Sequence, residues 1–453
     1  MQYLSTRDSA LRVSAQEAII RGLAPQSGLF VPETFPQADL DAWKNLSYPE
    51  LAEKVLAGFL TDYSADFLHT ATASTYGAAF GGKAGETVKV RDGLYSLELW
   101  HGPTGAFKDY ALQLMPKLLV EAKKMLGRTE TTRILVATSG DTGKAALAGY
   151  ADLDGIEIEV FYPNDGTSEI QHLQMATQKG ENVQVYAVQG NFDDAQTGVK
   201  KVFADADVAA ELEKRGIRLS SANSINWGRL VPQIVYYFYA YFRLAEQGAV
   251  EWGKPVDFCV PTGNFGDILA GYYAKQMGLP VGRLVCASNK NNVLTDFLRT
   301  GTYDARRTFY KTTSPSMDIL ISSNLERLLY HVSGSSEKVA GWMQELSATG
   351  KYTVDAETLA KIQQSFAAGY ADDADGAAEI KARFDGDHYL CDTHTAVAFR
   401  VAETRALHGQ PVQIPARRPD GSGRGGPRQR LCRHGRADRR DRRRGSRLAA
   451  RVG

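Results

Sequence analysis

From about residue 93 onward, short apolar runs and helix-compatible runs take turns along the chain. ILVA at 134–137 is an apolar run of buried-strand type, followed by TSGDTG at 138–143 and an alanine-rich helical stretch at 144–151. IEIEVF at 156–161 is rich in β-branched residues and reads as a strand; 169–178 suits a helix and 183–188 another strand. FCV at 258–260 leads through GNFGD into a helical run at 268–277, with the next strand at 284–287. Strands alternating with helices of this length predict a mostly parallel sheet covered on both faces. Such sheets bind ligands in the loops beyond the carboxyl ends of their strands, where TSGDTG and GNFGD both fall. Residues 1–90 lack the alternation and read as a separate cap, with a helix over 48–57. The greasiest stretch, 230–242, contains Pro232 and Gln233, is too short to span a bilayer and predicts a buried helix.

At 453 residues the chain has room for two or three domains, and 43% hydrophobic with 23% charged residues is ordinary for a globular protein. The net charge of +1 conceals an asymmetry. The stretch from Arg417 onward holds 14 arginines against three aspartates, +11, which leaves −10 on the rest. An acidic body argues against nucleic-acid binding by that part. The four cysteines, Cys259, Cys286, Cys391 and Cys432, are widely spaced, which argues against a disulfide framework and a cysteine-built metal site. The first residues lack the basic and apolar regions of a signal peptide, and a cytoplasmic protein is expected.

The chemistry concentrates in a few loops. In HGPTGAFKD (101–109), Lys108 follows a Gly-Pro turn and precedes a helical run. A lysine whose surroundings shift its pKa becomes a nucleophile toward aldehydes, although most lysines at a helix start are solvated. Gly263, Asn264, Phe265, Gly266 and Asp267 form a glycine loop entering a helix, where backbone N–H groups and the dipole favour an anion. The alternative there is an ordinary strand-to-helix turn. Ser139 and Thr142 suit a carboxylate, but taken alone they read first as helix caps. Asn223, Ser224 and Arg229, in NSINWGR, suit a phosphate, and equally a capped helix with a solvated arginine. In DTHTAV (392–397), Thr395 is a capping candidate and His394 reads as structural.

In this order the motifs resemble the threonine synthase family, pyridoxal-phosphate enzymes of the tryptophan-synthase-β fold type (fold-type II). YLSTR (3–7) and GLFVPE (28–33) resemble its N-terminal domain. HGPTGAFKD, ATSGDTGKAAL, GNFDDAQ (190–196), NSINWGRLVPQ, PTGNFGD, SPSMDILISSNLERLLY (314–330) and DTHTAVAF follow in the family's order, over roughly 1–407. The resemblance implies α/β architecture, with a cap at 1–90 and a catalytic domain at 91–409. It implies conversion of O-phospho-L-homoserine and water to L-threonine and phosphate, the last step of threonine biosynthesis, with Lys108 holding pyridoxal 5'-phosphate as a Schiff base. Gly263, Asn264, Phe265, Gly266 and Asp267 would surround the cofactor phosphate, and Thr395 would meet the pyridine nitrogen, with Asp392 as its rival. A neutral hydroxyl there favours an unprotonated ring. Ser139 and Thr142 would take the substrate carboxylate, and Asn223, Ser224 and Arg229 its phosphate. No metal and no membrane partner is implied; a monomer and a homodimer both remain open.

After about residue 409 the resemblance stops. The segment 410–453, rich in arginine and glycine, has almost nothing apolar to bury and is expected to be disordered. A frameshift or a sequencing error near 410–416 would explain it; a genuine tail binding nucleic acid or membrane by charge is the alternative. Within the cofactor class, a serine/threonine dehydratase or a phospho-lyase on a related amino alcohol phosphate is the rival activity. From another class, a catalytically dead binding protein is the rival.

Overall fold

Two sheets of mostly parallel strands carry the site. In the computed structural model the described residues are 1–404, apart from 139, 165, 166, 168 and 191, together with 412–416. All lie in one compact unit, Met1–Gly423. The larger sheet has six strands, in the order Phe366–Tyr370, Val281–Ser288, Val256–Pro261, Val412–Ala416, Leu94–Glu98 and Glu86–Arg91. The first five run parallel, and Glu86–Arg91 closes the edge antiparallel to its neighbour. The smaller sheet has four parallel strands, in the order Val183–Val188, Ile156–Pro163, Thr131–Ala137 and Ile217–Ser221. Each anticipated strand between 134 and 287 is present, and the α/β class with it.

The stretch at 230–242 is interrupted near its start. Trp227–Leu230 is a short helix, Val231–Gln233 a 3-10 turn, and Ile234–Glu246 the long helix. Pro232 lacks the N–H that a continuous helix would use, which accounts for the break. Ile234, Val235, Tyr236, Tyr237 and Phe238 are successive and all fully buried, so this helix is apolar nearly all round. It packs against Gly266–Gln276, the helix that opens at the glycine loop, and against Tyr48–Phe59 of the N-terminal region. Burying each large side chain contributes about 1.5–3 kcal/mol, so this helix fixes the glycine loop to the core.

The N-terminal region adds an antiparallel sheet of Asp8–Val13, Tyr3–Ser5 and Phe30–Pro32. It is tied to the body by Arg7, whose guanidinium forks onto Glu326 at 2.9 and 2.8 Å. Buried Arg327 adds a 2.9 Å bond to the carbonyl of Phe30. The cap boundary expected at residue 90 falls inside the strand Glu86–Arg91, which belongs to the large sheet.

The expectation for 410–453 is corrected at its start. Val412–Ala416 is a strand in the middle of the six-stranded sheet, paired from Val412 with Leu94 to Ala416 with Glu98 on one side and with Asp257 and Phe258 on the other. Ile414 is fully buried. Only five residues are needed to cross the sheet there, and VQIPA is enough. The remainder, 417–453, lies outside the described residues.

Candidate active site

Lys108 is held at a loop-to-helix junction by the aspartate that follows it. Asp109, buried at the start of Asp109–Leu112, accepts from the Thr104 N–H and hydroxyl, each at 2.8 Å, and from Gln113 Nε2 at 3.0 Å. Burial pushes its carboxyl above the usual range, and these donors oppose that. A Cβ on Gly102 would lie 2.6 Å from the same carboxylate, so glycine there is a packing requirement. At the mouth of the loop His101 Nε2 lies 2.9 Å from Glu98 and 3.1 Å from Glu86.

Lys108 Nζ is 4.6 Å from the centre of the Phe107 ring and 3.8 Å from Asp141 Oδ2. Asp141 opens the helix Asp141–Tyr150 beyond the strand Thr131–Ala137. The turn is organised by Thr138, whose hydroxyl accepts from Gly140 N at 2.9 Å and Gly143 N at 3.0 Å. Gly140 has φ +142°, and a Cβ there would strike Gln171 Oε1 at 2.1 Å. Asp141 also faces buried Lys144 at 3.7 Å and accepts from Gln171 Nε2 at 2.7 Å and from the Ser316 hydroxyl at 3.1 Å. Two lysines thus flank one carboxylate. Thr142 is on the first turn of this helix, and Ser139 lies outside the described residues.

The glycine loop leaves the strand Val256–Pro261. The amide N–H groups of Gly263, Asn264, Phe265 and Gly266 have no hydrogen-bond partner among the described residues, and they stand at the N-terminus of an eleven-residue helix. The loop's carbonyls are engaged elsewhere: Gly263 O accepts from the Ser322 hydroxyl at 2.8 Å, and Asn264 O from Asn324 N and Nδ2 at 3.1 Å. Phe265 adopts φ +62°, which costs a non-glycine residue about 1–2 kcal/mol. Its buried ring, packed on Phe366 at 5.6 Å, contributes about 1.5–3 kcal/mol and holds the strained turn. Four N–H donors at a helix start fit the phosphate of pyridoxal phosphate. Asp267 is different. Its Oδ1 accepts from Tyr236 at 2.7 Å and Tyr237 at 2.8 Å, so the carboxylate is turned into the long buried helix.

The NSINWGR segment abuts this loop, since a Cβ on Gly266 would lie 3.9 Å from that of Ser224. Asn223 reaches back to Ala137 O at 3.2 Å, which links the segment to the strand that precedes the Asp141 turn. Arg229 is the third of the residues expected to take the substrate phosphate. It is 3% exposed, its guanidinium donates to the carbonyl of Ala222, and burial lowers its pKa to about 10. The side chain braces the backbone of the segment from below. Arg327, also fully buried, donates to the carbonyls of Ser224 and Ile225 from the other side.

Thr395 is fully buried in the helix Thr393–Thr404, and the residue that caps this helix is Asp392. Asp392 Oδ1 accepts from His394 N at 2.8 Å and Thr395 N at 3.4 Å, while Oδ2 takes the Thr395 hydroxyl. His394 Nδ1 lies 2.9 Å from Asp392 Oδ1, and its Nε2 receives the Ser316 N–H at 3.2 Å. Contacts therefore run unbroken from Lys108 through Asp141, Ser316, His394 and Asp392 to Thr395. Reading motifs singly misses Ser316, Asn324 and Arg327. All three lie in or beside SPSMDILISSNLERLLY, whose length was its only signal.

Two family models match the chain: Threonine synthase N terminus over residues 2–76 and Pyridoxal-phosphate dependent enzyme over 84–381. The human protein named Threonine synthase-like 1 is 41% identical over 424 residues, covering 88% of this chain; the chain spans 57% of that relative's length. Threonine synthase of Pseudomonas aeruginosa is 40% identical over 407 residues, covering 89% of this chain and 84% of its own. Among solved structures, the pyridoxal-phosphate-bound threonine synthase of Brucella melitensis superposes with TM-score 0.85 at 38% identity, covering 92% of this chain and 89% of that one. With a lysine-bearing loop, a donor-rich helix start and both family models in sequence, the chain belongs to the threonine synthase family of pyridoxal-phosphate-dependent enzymes.

Proposed function

We propose that the protein converts O-phospho-L-homoserine and water to L-threonine and phosphate, as the closing step of threonine formation. The single observation that carries this reading is Lys108 and the four amide donors of Gly263–Gly266 standing on the NSINWGR segment and the Asp141 turn. An amine, a phosphate cradle and a second polar loop are what an amino acid phosphate and its cofactor require together.

When bound, pyridoxal phosphate supplies the electron sink that makes protons on Cα and Cβ of the substrate removable. Lys108 Nζ would hold the cofactor, and the same amine would move protons at Cα and Cβ of the substrate. Asp141, 3.8 Å away, orients that amine. The amides of Gly263, Asn264, Phe265 and Gly266 hold the cofactor phosphate, with Asp267 fixing the loop through Tyr236 and Tyr237. Thr395 would meet the ring nitrogen. Ser139 and Thr142 take the substrate carboxylate, and Asn223 and Ser224 take its phosphate, while Arg229 keeps their backbone in place. The enzyme's proposed location is the cytoplasm.

The test is one assay with two products measured together. Threonine and phosphate should appear in equal amounts from O-phospho-L-homoserine. Formation of 2-oxobutanoate in place of threonine would assign the site to a related lyase, and cofactor bound without turnover would assign it to a binding protein.

A further inference from the structure

We infer that Asp392, oriented by His394, takes the proton of the Thr395 hydroxyl, so that Thr395 meets the cofactor ring as an acceptor and the ring nitrogen binds protonated. This rests on the reading above that Thr395 faces that nitrogen. It reverses what a lone neutral hydroxyl implies.

The Ser316 N–H is a donor only, and it points at His394 Nε2 from 3.2 Å. Nε2 is therefore the accepting nitrogen of a neutral imidazole, and the proton sits on Nδ1. Nδ1–H then donates to Asp392 Oδ1 at 2.9 Å, alongside the His394 backbone N–H at 2.8 Å. An oxygen that receives these donors, at the N-terminus of a twelve-residue helix, belongs to a carboxylate. Its other oxygen also accepts, and the Thr395 hydroxyl bonds it. A hydroxyl has one proton. With that proton directed at Asp392, the threonine oxygen offers only lone pairs to a further neighbour.

Burial makes the arrangement matter. Asp392, His394 and Thr395 are all buried, so water does not compete for these bonds. A ring nitrogen placed against an acceptor that is itself bonded to a carboxylate is stabilised as N–H⁺, as it would be beside an aspartate. Asp392 thus acts through Thr395, and the two rival partners of the sequence form one unit. Asp392 and His394 are positioning residues. The other charged groups on the connected path are Asp141, Lys108 and Lys144, and Ser316 bonds both Asp141 and His394.

The experiment is nitrogen NMR of the holoprotein loaded with pyridoxal phosphate labelled with ¹⁵N in the ring, alone and in the variants Thr395→Val, Thr395→Ser and Asp392→Asn. The wild type should show a ring nitrogen in the pyridinium range. Thr395→Val and Asp392→Asn should both move it toward the unprotonated range, and Thr395→Ser should retain it. An unprotonated signal in the wild type overturns the inference, and this needs no variant to fold. Movement with Thr395→Val but none with Asp392→Asn also overturns it, while leaving the placement of Thr395 standing. No movement with Thr395→Val in a loaded protein refutes the placement itself.

Discussion

The glycine loop offers a paired substitution whose two members should behave differently. A Cβ on Gly263 would lie 2.7 Å from the carbonyl oxygen of Ser316 and 3.3 Å from Met317 Cα. Both are backbone atoms of the 3-10 turn Pro315–Met317 and cannot rotate aside. A Cβ on Gly266 would meet Asn324 Nδ2 at 3.4 Å, an ordinary contact. Relieving the first overlap needs a backbone shift of roughly half an ångström, and forced overpacking costs about 1–3 kcal/mol. At about 2.1 cal/mol/K per residue over some 400 residues, 2 kcal/mol lowers Tm by roughly 2–3 °C. Because the shift displaces the phosphate donors, a similar loss in cofactor binding weakens affinity about 30-fold. Thermal melts of cofactor-free Gly263→Ala and Gly266→Ala, followed by absorbance titration with pyridoxal phosphate, measure both terms. Gly263→Ala should lose stability and affinity, and Gly266→Ala should keep the cofactor-free melt. Equal melts for the two variants would refute the packing argument.

Arg229→Ala should lower Tm and cofactor content together, because it removes a buried brace of the 222–226 backbone and leaves the Ala222 carbonyl without its donor, at about 1–3 kcal/mol. A variant with full cofactor content, a native melt and weakened substrate turnover would restore Arg229 to the substrate. A chain ending after Ala416 should fold and bind cofactor like the full chain, whereas one ending after Gly409 should not fold. The second loses a central strand, the buried Ile414 side chain worth about 1.5–3 kcal/mol, and the ladder on both sides; far-ultraviolet circular dichroism and melting of the two truncations decide this.

Much of the architecture is legible from local pattern, because a strand buried on both faces is apolar along its length and 134–137, 258–260 and 284–287 show it. The lysine and glycine loops are legible too, since each chemistry needs particular residue types close together in sequence. What sequence spacing does not show is contact between distant segments. Arg229 reads as a phosphate ligand by residue type, and its burial and its bond to the Ala222 carbonyl are visible only in three dimensions. Ser316 touches Asp141 and His394, 175 and 78 positions away, so no local window contains the connection. The strand Val412–Ala416 escaped notice for the opposite reason. Its five residues stand beside an arginine-rich stretch that dominates the composition of any window around them.

The central claim is that Lys108 and no other lysine carries the cofactor, and the structure supplies its own competitor in Lys144, buried on the other side of Asp141. Borohydride reduction of the holoprotein, followed by peptide mapping, reads the attachment site directly. The account predicts a single pyridoxyl-lysine at position 108; label at Lys144, or its absence from Lys108, would contradict it.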